Sequence, residues 1–338
     1  MKKNDNKNNF QKKDENPKGF GKKLREVLGT DIFYLLKYLI KTEWKFIVFL
    51  FLYCIAMNHF ESINFISEYL KVPVFSIGAL GGGIGILLGF RFKTSYDRWW
   101  EARKLWGDLI NNSRIWGRLV IASLKPALEK AESKEKEDLI SVQERLLELQ
   151  KFFIVETVCW LQPAVAQSKE VVAGIKRYQF FGNEQHKPYL LVMQQEKLIA
   201  KVVSRNWING FQYLKLSKSL DENINKLGGC ERIKNTPFSG HYKDIFRIMV
   251  RLYSIMLPLS LLELHSYLMP IIITINFMFF ELLLIGAART DVPFGRRSTD
   301  HNMENFAKII ITNLEEAFAY QTPQKMRTKQ EVQKKTVS

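Results

Sequence analysis

Nineteen consecutive residues, Val72 to Phe90, carry no charge, and six of them are glycine: Gly78, Gly81, Gly82, Gly83, Gly85 and Gly89. Wound as a helix, this run is about 28 Å long, close to the ~30 Å hydrocarbon core of a bilayer. In a water-soluble helix each interior glycine costs roughly 1 kcal/mol relative to alanine, whereas a membrane helix uses glycine where backbones or a narrow conduit come close. The run predicts a membrane-spanning helix suited to lining a pore.

Charge is segregated along the rest of the chain. It is nearly absent from 46–60, 72–90 and 252–288 and dense elsewhere, so a composition of 46% hydrophobic residues and 25% charged ones describes a membrane protein with large aqueous parts. The formal net charge of +16 has three readings: nucleic-acid binding, attraction to anionic lipid, and the positive-inside bias of a membrane protein. Position favours the last. Lys and Arg crowd the segment before Trp44, the region from Arg91 and everything after Arg289, while the stretch Asn58 to Leu70 carries Glu61 and Glu68 and no Lys or Arg. Four crossings with both termini in the cytoplasm satisfy the rule. No aromatic-interleaved basic motif of a nucleic-acid module is present, and nucleic acid is not expected as a partner. Residues 1 to 30 are polar and basic, without the apolar core of a signal peptide.

The three cysteines, Cys54, Cys159 and Cys230, are odd in number, far apart and without CxxC spacing, which argues against a disulfide framework or a zinc site. The five histidines are scattered, with no HExxH pattern. No metal, cofactor or hydrolytic chemistry is expected, and the chain does not read as an enzyme.

The expected fold is all-α. Residues 1–25 and 323–338 are polar, basic tails too poor in apolar residues to fold. Between them lies one channel-like domain, 26–322, with membrane spans near 44–60, 72–92, 245–263 and 264–288. Cytosolic helices cover 94–244 and 289–322. Asp31 to Lys45 reads as an amphipathic helix at the membrane surface, followed by a short span in which Lys41 and Lys45 snorkel. After the second span Trp99, Ala102, Trp106, Leu109, Ile110, Ser113 and Trp116 recur at three- and four-residue spacing, a buried helical stripe. Further helices are expected over Ser133–Leu161 and Lys187–Leu227, the second ending at Gly228-Gly229.

The passage Gly89-Phe90-Arg91, followed by Tyr96-Asp97-Arg98-Trp99-Trp100-Glu101-Ala102-Arg103-Lys104-Leu105-Trp106-Gly107, resembles the signature of the bestrophin family in its bacterial branch. Gly229-Cys230-Glu231-Arg232-Ile233-Lys234-Asn235-Thr236-Pro237 resembles the segment before the family's third membrane helix. Asp291-Val292-Pro293-Phe294-Gly295 resembles the turn after its fourth, and Asn313-Leu314-Glu315-Glu316 fits the helix that follows. The resemblance covers roughly 20–320. It implies a homopentameric ion channel of a bacterial inner membrane, with lipids and small inorganic ions as its other partners.

At helical spacing Gly82, Ile86 and Phe90 share one face. The resemblance places them at the three rings of an apolar pore neck, and Gly82 stands where the family commonly has a bulky apolar residue, which implies a wider or two-ring constriction. The plain alternative is helix-on-helix packing. Pro237 ends the preceding helix and leaves Phe238 at a loop tip, where the resemblance implies a narrow cytosolic aperture and the alternative is a hydrophobic plug. Arg98, Trp99, Trp100 and Glu101 read as structural. Adjacent tryptophans point about 100° apart, so burying both needs a helix packed on two sides, and Arg98 and Glu101 at i, i+3 can pair. Glu263 and Glu281 sit in or beside apolar stretches, as ion sites or as charges at the membrane interface, Glu281 facing a neighbouring subunit.

Animal members of the family bind calcium after the Pro-Phe-Gly turn. Here that stretch is Arg296-Arg297-Ser298-Thr299-Asp300, poor in carboxylates, and Val292 replaces an amide-bearing residue, so calcium gating is not expected. The resemblance implies anion conduction in the animal branch and leaves cation conduction open in the bacterial one, and the uncharged neck candidates exclude neither. A secondary transporter would show internal repeats, which are absent, and a poreless scaffold would use the glycine-rich span only for packing.

Overall fold

The computed structural model describes residues 30–60, 72–163, 186–261, 267–297 and 299–321. Among them the regular structure is helical throughout: α1 (Thr30–Phe60), α2 (Val74–Lys130), α3 (Ser133–Leu161), α4 (Lys187–Ser204), α5 (Gly210–Asn235), α6 (Gly240–Ser260), α7 (Met269–Thr290) and α8 (Met303–Gln321). The chain divides into two compact units. One takes residues up to Phe92 and Gly240–Ala287, and the other takes Lys93–Ser239 and the residues from Ala288 onward. The expected tails 1–25 and 323–338 lie outside the described residues.

The first unit is built from α1, the start of α2, α6 and most of α7. Its core joins Leu50 and Cys54 of α1, Ile77, Ile84 and Leu88 of α2, Val250 and Tyr253 of α6, and Met269, Ile273, Phe277 and Phe280 of α7. Helices α2 and α7 each hold a stretch long and apolar enough to cross a membrane. Helices α1 and α6 carry charges within theirs: Lys41, Glu43 and Lys45 in one, Arg247 and Arg251 in the other.

Two expectations for this unit are corrected. The surface helix and first span are one unbroken 31-residue helix, in which Glu43 is buried. The fourth span begins at Met269, with Pro270 in its first turn and Tyr267-Leu268 still in a turn, so it starts later than 264.

The second unit is a helical bundle in which α3 packs on α4 and α8, and α5 on α3 and α4. The predicted stripe of α2 enters its core: Ala102, Trp106, Leu109 and Trp116 are fully buried, and Ser113 nearly so. Helix α3 spans Ser133–Leu161, the range expected. A layer of amides crosses the apolar core. Asn112 donates to the Ser219 carbonyl and to Asn223 Oδ1, each at 2.8 Å, Asn223 donates to Gln150, and Gln150 donates to Ser113. Such a layer ties the register of α2, α3 and α5 to hydrogen bonds.

The single helix expected over 187–227 is instead two. Asn206 takes a left-handed φ of 54°, and Asn209 restarts the chain with a capping box, its side chain accepting from Gln212 N while the Gln212 side chain accepts from Asn209 N. Helix α5 then runs through Gly228-Gly229 to Asn235. A β-carbon on Gly229 would meet Leu105 Cδ2 at 2.9 Å, so this glycine serves close packing and not termination.

Candidate functional site

The N-terminal part of α2 has two unlike faces. Ile77, Ile84, Leu88 and Arg91 are buried, whereas Ile86 is 64% and Phe90 67% exposed, with Gly82 on the same exposed side. The structure thus brings Gly82, Ile86 and Phe90 together on one face, the spacing of four keeping each a turn from the next. Of the six glycines, only Gly81 meets a neighbour among the described residues: a β-carbon there would lie 2.6 Å from the Tyr253 hydroxyl, while no described residue outside the helix's own backbone lies within 4 Å at the other five. Among the described residues, close approach within the subunit is therefore made by Gly81 alone.

Phe238 lies in the short connection between α5 and α6 and is half-buried, so the expectation of an exposed loop tip is corrected; it is Pro237 beside it that is exposed. Helix α5 continues to Asn235, and the turn is fixed by Thr236 N donating to the Arg232 carbonyl.

The Arg98–Glu101 block is a structural tie, by a route the local spacing did not give. Arg98 donates to the carbonyls of Thr236 at 2.6 Å, Asp291 at 2.8 Å, and Ile233. Two of these carbonyls end α5, where unpaired oxygens and the negative end of the helix dipole favour a cation. Burial pulls the guanidinium below its ordinary pKa, and the nearby acids Asp291 and Glu101 offset part of that. The expected Arg98–Glu101 pair gives way to Arg232–Glu101 at 2.5 Å. Trp99 donates from its indole to the Thr299 carbonyl at 3.1 Å, and its own carbonyl lies 2.9 Å from His301 Nε2. Burial lowers the His301 pKa, and because the Trp99 carbonyl can only accept, Nε2–H is the donor in that contact. Trp100 is 47% exposed, so within one subunit the two tryptophans are not both buried.

The segment after α7 is held by a guanidinium. Arg297 donates to the carbonyls of Arg289 at 2.9 Å and Val292 at 3.2 Å, and to Asp300 Oδ2 at 3.0 Å, while its backbone N–H meets the same oxygen at 2.9 Å. Glu304 faces Arg296 at 3.8 Å. A cavity of about 330 Å³ lies among these residues, and its carboxylates are turned onto arginines.

A family model described as Bacterial/Fungal Bestrophin protein matches residues 39–316. The chain belongs to that family. A voltage-dependent anion channel-forming protein of Nostoc is 28% identical over 254 residues, covering 73% of this chain and 80% of that one. The Escherichia coli voltage-dependent anion channel-forming protein YneE is 28% identical over 252 residues, covering 72% and 77%. Among solved structures, a point mutant of a bacterial bestrophin homolog from Klebsiella pneumoniae aligns with a TM-score of 0.66 at 22% identity, over 82% of this chain and 99% of that one, a likeness of fold. This bestrophin is accordingly a membrane protein and an ion channel.

Four further residues of this bestrophin matter, and only Glu281 among them is a candidate from the sequence. Glu281 is fully buried inside its own subunit, with Arg247 Nε 3.6 Å away, which corrects the expectation that it faces a neighbouring subunit. Glu43, also buried, pairs with Arg251 at 2.7 Å, and the Arg251 guanidinium lies 5.1 Å from the centre of the Phe46 ring. The signal was present: Arg247 and Arg251 are four apart in a stretch, 245–260, that holds no other charge, where charges require partners. Glu263, the other candidate acid, lies outside the described residues. Cys54, Cys159 and Cys230 are free and buried, and burial pushes the thiols of Cys159 and Cys230 up to about 12.

Proposed function

We propose that this bestrophin is a homopentamer whose α2 helices surround an axial conduit and that it conducts anions passively across a bacterial inner membrane. The observation that carries the reading is the exposed face of Gly82, Ile86 and Phe90 on an uncharged helix whose opposite face is packed. Such a face belongs either against lipid or around a lumen, and a helix rich in glycine on its outward side suits close approach to other copies of itself better than contact with acyl chains. Repeated around an axis, Phe90 and Ile86 form narrow apolar rings that gate by dewetting, and Gly82 leaves the third ring position wide. Phe238 forms a second constriction at the cytosolic exit. The anion channel-forming names of relatives support the choice of anion.

Four membrane helices, α1, the start of α2, α6 and α7, fit both termini in the cytoplasm. In that arrangement Glu43–Arg251, hydrogen-bonded at 2.7 Å, and Arg247–Glu281, a looser contact at 3.6 Å, act as structural ion pairs inside the membrane unit and not as ion sites.

Purified protein in planar bilayers under a potassium chloride gradient tests the reading. Reversal near the chloride equilibrium potential supports it; reversal near the potassium potential replaces it with a monovalent-cation channel of the same fold. Slow, saturable flux would mean a transporter, and no flux a scaffold. Native mass measurement should give five copies, and a stable monomer or dimer contradicts the axial conduit.

Micromolar calcium is expected to leave the current unchanged, because Asp300 and Glu304 are already engaged by Arg297 and Arg296. A calcium-dependent current in the same bilayers would contradict this.

A further inference from the structure

The open face of α2 does not end at Phe90. The helix continues without a break to Lys130, and steps of about 3.6 residues from Ile86 and Phe90 lead to Lys93, Asp97, Trp100 and Lys104. All four are exposed, with the Lys93 and Asp97 side chains at 70% and 57%, while Ser95 and Ala102 on the other face are fully buried. The apolar lane thus becomes a charged lane one turn on, and its first two charged positions are of opposite sign. Lys93 Nζ lies 2.8 Å from each carboxylate oxygen of Asp97.

We propose that the Lys93–Asp97 pair sets the ion selectivity of the conduit just beyond its apolar neck. The proposal rests on the reading that α2 lines the lumen. An apolar neck has no charge with which to sort ions by sign, so sorting falls to the nearest charged ring. A shared ammonium–carboxylate contact presents almost no net charge, but removing either partner exposes the other in every subunit. In a narrow lumen five like charges act together on a passing ion. An exposed i, i+4 pair adds little to the stability of a helix, so its members can be changed without loss of fold.

The test is the reversal potential of Asp97→Asn and Lys93→Gln channels in bilayers under a salt gradient. Asp97→Asn leaves the Lys93 ammonium alone and should raise the anion-to-cation permeability ratio by roughly fivefold, as expected for about 1 kcal/mol of added attraction. Lys93→Gln leaves the Asp97 carboxylate alone and should lower the ratio by a similar factor. The double variant Lys93→Asp with Asp97→Lys restores a neutral pair and should return the parental value. If only one single variant assembles, its shift and that of the swapped pair decide the matter. Unchanged reversal potentials, or shifts in the same direction for both single variants, overturn the proposal. Phe90→Ala, recorded alongside, separates the two levels. A changed conductance there with unmoved reversal potentials sinks the selectivity role alone, and a silent Phe90→Ala sinks the conduit reading and this proposal with it.

Discussion

Phe90→Ala channels are expected to pass about tenfold more current than the parent, since about 1.4 kcal/mol off the permeation barrier corresponds to a factor of ten. Phe90 is 67% exposed in the subunit, so little packing is lost when its ring is removed. What is lost is the apolar ring around the lumen, which widens and wets. Ile86→Ala should act in the same direction with a smaller effect, because less side chain is removed. Phe238→Ala should also raise flux and, being half-buried, lower stability as well. Single-channel conductance and thermal unfolding measured on the same preparations separate the two effects. Misfolding in all three variants, with unaltered conductance in any channels that survive, would assign these residues to packing.

Arg98→Ala is expected to be the most damaging single change outside the membrane unit. Three carbonyl oxygens, of Ile233, Thr236 and Asp291, lose one shared donor. Hydrogen bonds to charged groups contribute about 1.5–3 kcal/mol each and are not additive, so a loss of about 3 kcal/mol is expected. Lysine restores a charge but not the fixed fork that reaches three oxygens, and Arg98→Lys should recover only part of the stability. Thermal unfolding in detergent reads this directly. A melting temperature equal to the parent's would mean that the end of α5 is held by other contacts.

Much of the fold was legible because periodicity reports burial. The Ala102–Trp106–Leu109–Trp116 stripe and the bounds of α3 followed from spacing alone, and so did the shared face of Gly82, Ile86 and Phe90. What escaped was set by contacts distant in sequence. Asn206, Trp207 and Ile208 read as continued helix, yet Asn206 turns left-handed and Trp207 is buried with its indole 2.8 Å from Glu135. Gly228-Gly229 read as a stop, yet Gly229 is small to admit Leu105. Glu43 lies in the first unit opposite Arg251, 208 residues away, a pairing that no local spacing announces. Arg98 had a partner three residues on by local logic, and the helix end it caps comes from residues more than 130 positions later. How copies of the chain surround the open face of α2 is a property of the assembly, and for that the sequence spoke through its family resemblance.

The most direct test of the central claim, that this face lines the ion path, is thiol modification at two neighbouring positions. Ile86→Cys places a thiol on the exposed face and Leu88→Cys one on the buried face. The native cysteines are buried and provide a quiet background. A charged methanethiosulfonate reagent, added during recording in planar bilayers, should reduce the current through Ile86→Cys channels and leave Leu88→Cys channels unchanged. Block at Leu88 and not at Ile86, or no effect at either while current persists, would place the conduit elsewhere in the molecule.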